Sequence, residues 1–184
     1  MKTTVNVEHH SQDVKDFVTV AERVVTVALS ASKNTSLSTQ KLQDVLNLGE
    51  RTRQQLVEYD KQASPLLLVK TKQHIMSLLV ATVRYLGDGY VPLSKVGYFY
   101  QELLDTVIRK NIDYGSSFDK GVADFGVPGF LIRLYDKENR IKSLMTQDSE
   151  ALVQESMYDT LLDLAGYSLL TLILSERHPE YIQK

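Results

Sequence analysis

Hydrophobic residues recur at intervals of three and four positions over most of the chain. This spacing is typical of helices that bury one apolar stripe. No stretch alternates apolar and polar residues for long enough to predict a strand, and the segment 5–7 is too short. The pattern predicts an all-α fold, a bundle of about five or six helices. The first helix is predicted from Val14, Phe17, Val18, Ala21, Val24, Val25, Ala28 and Leu29.

Turn-forming residues divide the pattern into separate helices. The polar run 30–39 predicts a turn before a second helix, and Pro65 begins an apolar helix that extends to residue 86. The next helix is predicted to begin near Pro92 or Ser94. The segment 112–129 holds four glycines, so we expect a long irregular connection there. Two further helices are predicted after it, over 130–145 and from about 151 to 176.

Composition and charge limit the classes of function. A chain of 184 residues fits one compact domain, 1–184. Its 21 basic and 23 acidic residues give a net charge of −2, so we expect neither a nucleic-acid polymer nor an anionic membrane as a partner. No cysteine is present, which excludes disulfides and thiolate zinc sites. The first residues lack the apolar core of a secretory signal, so a cytoplasmic location is expected.

The apolar segment 65–87 is interpreted as a core helix. Lys70, Lys72, His74 and Arg84 interrupt it, so it falls short of the ~20 uninterrupted apolar residues that span a membrane.

Charged residues form one stripe on each of the last two predicted helices. Arg133, Asp136, Lys137 and Arg140 stand at positions i, i+3, i+4 and i+7 and therefore share one face. On the final helix the corresponding spacing of four residues joins Glu155, Asp159, Asp163 and, on the same side, Gly166 and Tyr167.

The acidic stripe requires neutralisation, because carboxylates one turn apart repel each other. A hard divalent ion such as Mg²⁺ would supply it and would leave coordination sites for a phosphate-bearing ligand. The basic stripe of the preceding helix would also supply it, through ordinary ion pairs. The spacing leaves both interpretations open.

Two other segments offer candidate site residues. Glu102 and Asp105 stand three residues apart, close enough to contact one ion, and Lys110 follows about a turn later. A solvated helix face with internal ion pairs explains the same spacing. Asp113 and Tyr114 lie in a glycine- and serine-containing segment that suits phosphate oxygens or forms a plain turn.

Three tyrosines are candidates for stacking on a nucleobase. Tyr114, Tyr135 and Tyr167 supply flat rings near the charged stripes, although half-buried packing is an equal use for each of them.

Three motifs in the second half of the chain resemble a known family. They are N-x-D-Y-G in KNIDYG, R-x-x-D-K-x-x-R in FGVPGFLIRLYDKENRIKSL, and D-T-x-x-D-L-A-x-Y in ESMYDTLLDLAGYSLL. Together they resemble the phage-associated family called nucleotide modification associated domain 1. The resemblance covers about 75 residues from near Tyr98 to Leu174, and residues 1–95 resemble nothing we can name.

The resemblance implies a helical fold similar to MazG-like nucleoside triphosphate pyrophosphohydrolases and dimeric dUTPases, with residues 96–178 as the nucleotide-binding core. It also implies a phage setting, so the cytoplasm would be that of a bacterial host. Asp159 and Asp163 would be catalytic carboxylates that hold Mg²⁺ together with Glu102 and Glu155. Phosphate or base contacts would come from Lys110, Asp113, Tyr114, Arg133, Lys137, Arg140 and Tyr167.

The sequence departs from those enzymes in one respect. They present an E-x-x-E helix before an E-x-x-D helix, whereas here the preceding helix offers only Asp136 and Glu138 among positive charges. Three hypotheses follow: a Mg²⁺-dependent nucleotide pyrophosphohydrolase, a non-catalytic protein that captures a linear or cyclic nucleotide signal of host antiviral defence, and a scaffold whose charged stripes only pair with each other. We also expect a homodimer or higher homo-oligomer.

Overall fold

The computed structural model describes residues 1–34, 41–86, 92–146 and 156–182, except for the side chains of Asn34 and Leu93. Eight helices and no strand occur in these ranges, which confirms the all-α expectation. The number of helices is higher than the five or six expected. They are α1 (Gln12–Asn34), α2 (Leu42–Lys61), α3 (Pro65–Tyr85), α4 (Leu93–Asp113), α5 (Ser117–Phe125), α6 (Val127–Thr146), α7 (Met157–Arg177) and α8 (Pro179–Ile182).

The expected irregular connection at 112–129 is wrong, because most of it is helical. Gly115 and Gly126 have φ angles of +58° and +68°, so they form the two short turns that flank α5. Gly129 serves close packing instead, since a Cβ atom there would lie 2.9 Å from the carbonyl oxygen of Gly121. The glycines allow α5 and α6 to fold back tightly on each other.

Another glycine allows α2 and α6 to approach each other. A Cβ atom on Gly49 would lie 2.6 Å from Oε1 of Glu138, whose side chain is buried. The other carboxylate oxygen of Glu138 accepts a hydrogen bond of 2.8 Å from Nε of Arg53. This buried ion pair fixes the face that α6 presents to α2.

The last long helix lies at the centre of the molecule. α7 packs against α1, α3, α4 and α6, and twelve of its residues are buried. One hydrophobic cluster contains residues from all eight helices, for example Phe17 of α1, Val122 of α5 and Leu172 of α7. The apolar residues on nearly every side of α7 are therefore explained by burial.

Two helices, α3 and α7, are long and apolar enough to cross a membrane by length and composition alone. Core helices of soluble proteins pass the same test, and 61 % of the apolar 18-residue stretch of α7 is buried inside the protein. The two helices are therefore consistent with a soluble protein.

The first residues of the chain are tied to α4 and α1 by polar contacts. The hydroxyls of Thr3 and Thr4 each donate a hydrogen bond of 2.6 Å to the carboxylate of Asp105. Lys2 forms an ion pair of 2.6 Å with Glu22. Asp105 is thus used as an anchor for the N-terminal segment.

Candidate functional site

A pocket of about 240 Å³ lies between α4 and α7, and we call it the α4–α7 pocket. Each helix contributes residues at helical spacing, so one face of α4 meets one face of α7. The start of α5 and one arginine of α6 complete the walls. The lining residues are Leu103, Thr106, Val107, Lys110, Asn111, Tyr114, Ser117, Phe118, Arg133, Leu162, Asp163, Gly166, Tyr167 and Leu170.

One wall of the pocket contains Asp163, a carboxylate that is paired with two lysines. Asp163 forms an ion pair of 2.7 Å with Lys110 and another of 2.9 Å with Lys137. Burial alone would raise the pKa of Asp163, but the hydrogen bonds and charges of the two lysines outweigh it and hold that pKa below its usual value. The carboxylate is therefore ionised and satisfied at neutral pH.

Arg133 has no carboxylate partner among the residues that the structure describes. Its side chain is exposed at the pocket and forms no ion pair or hydrogen bond with any residue that the structure describes. Among the described residues that line the pocket, Lys110 and Arg133 are cationic and Asp163 is anionic, and Lys137 adds a second ion pair to Asp163. This wall attracts anions.

Aromatic rings form another part of the pocket wall. Phe118 stacks on Tyr167 with ring centroids 6.0 Å apart and an angle of 29° between the planes. Phe118 also meets the edge of the buried Phe130 ring at 6.3 Å, which holds it in place. Tyr114 stands at the rim with 66 % of its surface exposed. Flat rings of this kind offer surfaces for a nucleobase.

The predicted acidic residues do not gather around one point. Asp159 belongs to the N-terminal cap of α7, where its Oδ2 accepts hydrogen bonds from the backbone N–H and the hydroxyl of Ser156 at 3.2 and 2.7 Å. Glu102 accepts a hydrogen bond of 2.6 Å from the hydroxyl of Tyr158. Burial, together with that bond, raises the pKa of Tyr158 above its usual value.

No group of three His, Cys, Asp or Glu side chains within the described ranges is placed to hold a metal ion. Glu155, one of the predicted ligands, lies outside those ranges. Asp163 has both oxygens paired with lysines. The described donors therefore do not fit a Mg²⁺ site, which needs several free oxygen ligands.

The remaining predicted contacts lie outside the pocket wall. Asp113 ends α4 with its side chain exposed, and Arg140 is half-buried on α6. Tyr135 lies below the guanidinium of Arg53, 5.3 Å from ring centroid to Cζ. Of the predicted set, Lys110, Tyr114, Arg133, Asp163 and Tyr167 line the pocket together.

Eleven of the fourteen lining residues fall between Lys110 and Leu170. Residues 110–174 match the family model of nucleotide modification associated domain 1. The resemblance proposed from the motifs is therefore confirmed for this segment. No curated protein and no solved structure matches the chain. The more distant likeness to MazG-like enzymes stays a prediction.

Nine of the fourteen lining residues were not predicted as site residues, and Thr106, Asn111 and Phe118 are among them. Thr106 and Asn111 stand among the apolar positions of α4, and a polar residue on a core-facing stripe is the signal that identifies them. Phe118 belongs to α5, the helix that was expected to be a loop. The position of Phe118 in the pocket wall could not be predicted without the helix α5.

Proposed function

We propose that the protein binds a nucleotide in the α4–α7 pocket, with its base against the aromatic wall and its phosphate at the cationic wall. The observation that carries the proposal is the position of Arg133, an exposed guanidinium without a partner in the described ranges, in a pocket also lined by Tyr114, Phe118 and Tyr167. Guanidinium groups bind phosphate oxygens through two parallel hydrogen bonds and need no metal. The match of residues 110–174 to a nucleotide modification family supports the same ligand class.

The size of the pocket favours a mononucleotide. Its volume of about 240 Å³ is below the ~300–1,000 Å³ typical of sites that enclose a whole drug-sized ligand. A base and sugar would fill it and leave the phosphate at the exposed rim, beside Lys110 and Arg133. A cyclic dinucleotide, with two bases, would exceed the pocket.

Capture is favoured over hydrolysis by the state of Asp163. A pyrophosphohydrolase needs carboxylates that hold Mg²⁺ and activate water. Lys110 and Lys137 already occupy the two oxygens of Asp163, and Asp159 caps α7. We therefore propose that the ligand is bound and released intact. The phage setting and a role against host defence stay predictions.

The test is calorimetric titration of the protein with nucleoside mono- and triphosphates, with and without EDTA. We expect binding that EDTA does not change. Arg133→Gln removes hydrogen bonds to a charged group, worth about 1.5–3 kcal/mol, so its Kd is expected to rise about ten- to hundredfold.

Arg51→Gln on the exposed face of α2 is the matched control, because Arg51 is exposed and distant from the pocket lining. Its Kd is expected to equal that of the wild type. Equal affinity of the Arg133→Gln variant, or binding only with Mg²⁺ and with release of pyrophosphate, would overturn the proposal.

A further inference from the structure

The α4–α7 pocket is lined by an amide whose nitrogen has no partner among the described residues. Asn111 is only 7 % exposed and lines the pocket. Its Oδ1 accepts a hydrogen bond of 3.3 Å from the hydroxyl of Ser116. Its Nδ2 donates no hydrogen bond to any residue in the described part of the chain. Nδ2 is not one of the fully buried side-chain atoms without a partner, so it opens onto the pocket and is available to a ligand.

The backbone next to Asn111 is strained in a way that holds this amide in place. Ser116 is the non-glycine residue in the described ranges with a positive φ angle, +56°, which costs free energy for an L-residue. Its backbone N–H donates a hydrogen bond of 2.9 Å to the carbonyl oxygen of Asn111. The turn thus brings the Ser116 hydroxyl to Oδ1 and leaves the Nδ2 hydrogens directed away from it.

A second polar group of the pocket is also unsatisfied. Thr106 lies five residues before Asn111 on α4, and its hydroxyl makes no hydrogen bond with the described residues. Other helical threonines, for example Thr82 and Thr160, donate theirs to the carbonyl oxygen four residues earlier. The side chain of Thr106 faces the pocket instead.

The surroundings of these groups suit a base and not a phosphate. Leu103, Val107, Leu162 and Leu170 line the same pocket, and the side chain of Arg133 is exposed. A flat heterocycle that carries its own hydrogen-bonding groups matches an apolar lining with polar groups in it.

Resting on the proposed function, we infer that Asn111 determines which base is bound. Its Nδ2 donates to an exocyclic carbonyl oxygen, so the pocket selects keto bases such as uracil, thymine or guanine. Cytosine and adenine present an amino group at the corresponding position. That group is a donor facing a donor, which leaves both buried groups unpaired.

The test compares two ligands that share sugar, phosphate and size. Calorimetric titration of the wild type with dUMP and dCMP is expected to show at least about tenfold tighter binding of dUMP, since sites built to pair a polar group reject analogues that cannot pair with it. Asn111→Asp can only accept, so the ratio of the two Kd values is expected to reverse in favour of dCMP. Asn111→Leu is expected to bind both ligands weakly and without preference.

The ratio is the readout because the added charge of Asn111→Asp weakens the binding of both phosphates alike. Melting curves establish that each variant is folded, and the wild-type ratio decides the matter even if a variant does not fold. Equal affinity of the wild type for dUMP and dCMP, or tighter dCMP, overturns the inference and leaves the proposed function intact. Failure of every nucleotide to bind overturns both.

Discussion

The sequence position of Asp163 allowed two interpretations, a metal ligand or one partner of an ion pair. In the structure it joins Lys110 of α4 to Lys137 of α6, residues that are 53 and 26 positions away from it in the chain. The spacing of charges on one helix could not show this, because the partner on α4 depends on how the two helices pack. The repulsion argument from the sequence correctly required a neutralising cation, and lysines supply it.

Asp163→Asn tests which role the carboxylate has. Under the proposed function the change frees Lys110 to contact phosphate, so we expect the affinity for a nucleotide to rise by about fivefold, the equivalent of about 1 kcal/mol. Calorimetric titration measures it. Asp60→Asn, an exposed aspartate of α2, is the control and is expected to leave the affinity unchanged. Loss of all binding in Asp163→Asn would instead assign Asp163 to ligand or metal contact.

At the scale of helices, periodicity predicted α1, α3, α4, α6 and α7 well, because each has a long apolar stripe. It failed at α5, where a density of glycines was interpreted as a loop. Glycine has two uses that the letters do not distinguish, positive φ in a turn and close approach between helices. Gly115 and Gly126 have the first use and Gly129 has the second. Only the position of the neighbouring helix separates them.

Gly166 offers a test of the pocket that does not threaten the fold. A Cβ atom there would lie 3.6 Å from Cγ2 of Val107, an ordinary contact, and both residues line the pocket. Replacing a helical glycine with alanine stabilises a helix by about 0.5–1 kcal/mol. Gly166→Ala is therefore expected to raise the urea midpoint of unfolding. It should also raise the Kd for a nucleotide about tenfold, since the methyl group takes ligand space at a cost of about 1–3 kcal/mol.

Gly97 of α4 is the matched control. A Cβ atom there meets nothing within 4 Å, and Gly97 does not line the pocket. Gly97→Ala should gain stability to a similar degree and keep its affinity. A stabilised Gly166→Ala variant with unchanged affinity would show that the ligand lies elsewhere.

For the whole molecule, the sequence did not predict the links between distant parts of the chain. Thr4 and Asp105 are 101 positions apart, and Arg53 and Glu138 are 85 apart. The carboxyl groups in these two pairs have pKa values that are shifted in opposite directions. Burial would raise the pKa of Asp105, but hydrogen bonds from Thr3, Thr4 and Gln101 lower it overall, whereas burial raises the pKa of Glu138 despite Arg53.

Asp105 is expected to contribute to acid unfolding. Because its folded-state pKa is lowered, its stabilisation is present above the unfolded-state value of about 3.9 and is lost as the pH falls through the folded-state pKa. Asp105→Asn should therefore destabilise the protein by about 2 kcal/mol at pH 7 and flatten the fall in stability towards pH 3. Urea unfolding across that pH range measures both effects. If the stability of the Asp105→Asn variant fell towards pH 3 as steeply as that of the wild type, this account would be contradicted. Asp60→Asn again serves as the control.

The central position of α7 has a practical consequence for anyone who shortens this protein. The segment 110–174 contains α5, α6 and most of α7, but α1 and α3 cover other sides of α7, and Leu103, Thr106 and Val107 of the pocket precede the segment. A fragment cut at those limits would expose wide apolar surface to water and would retain only part of the ligand cavity. We expect this fragment to aggregate when it is expressed, so ligand screens need the entire polypeptide.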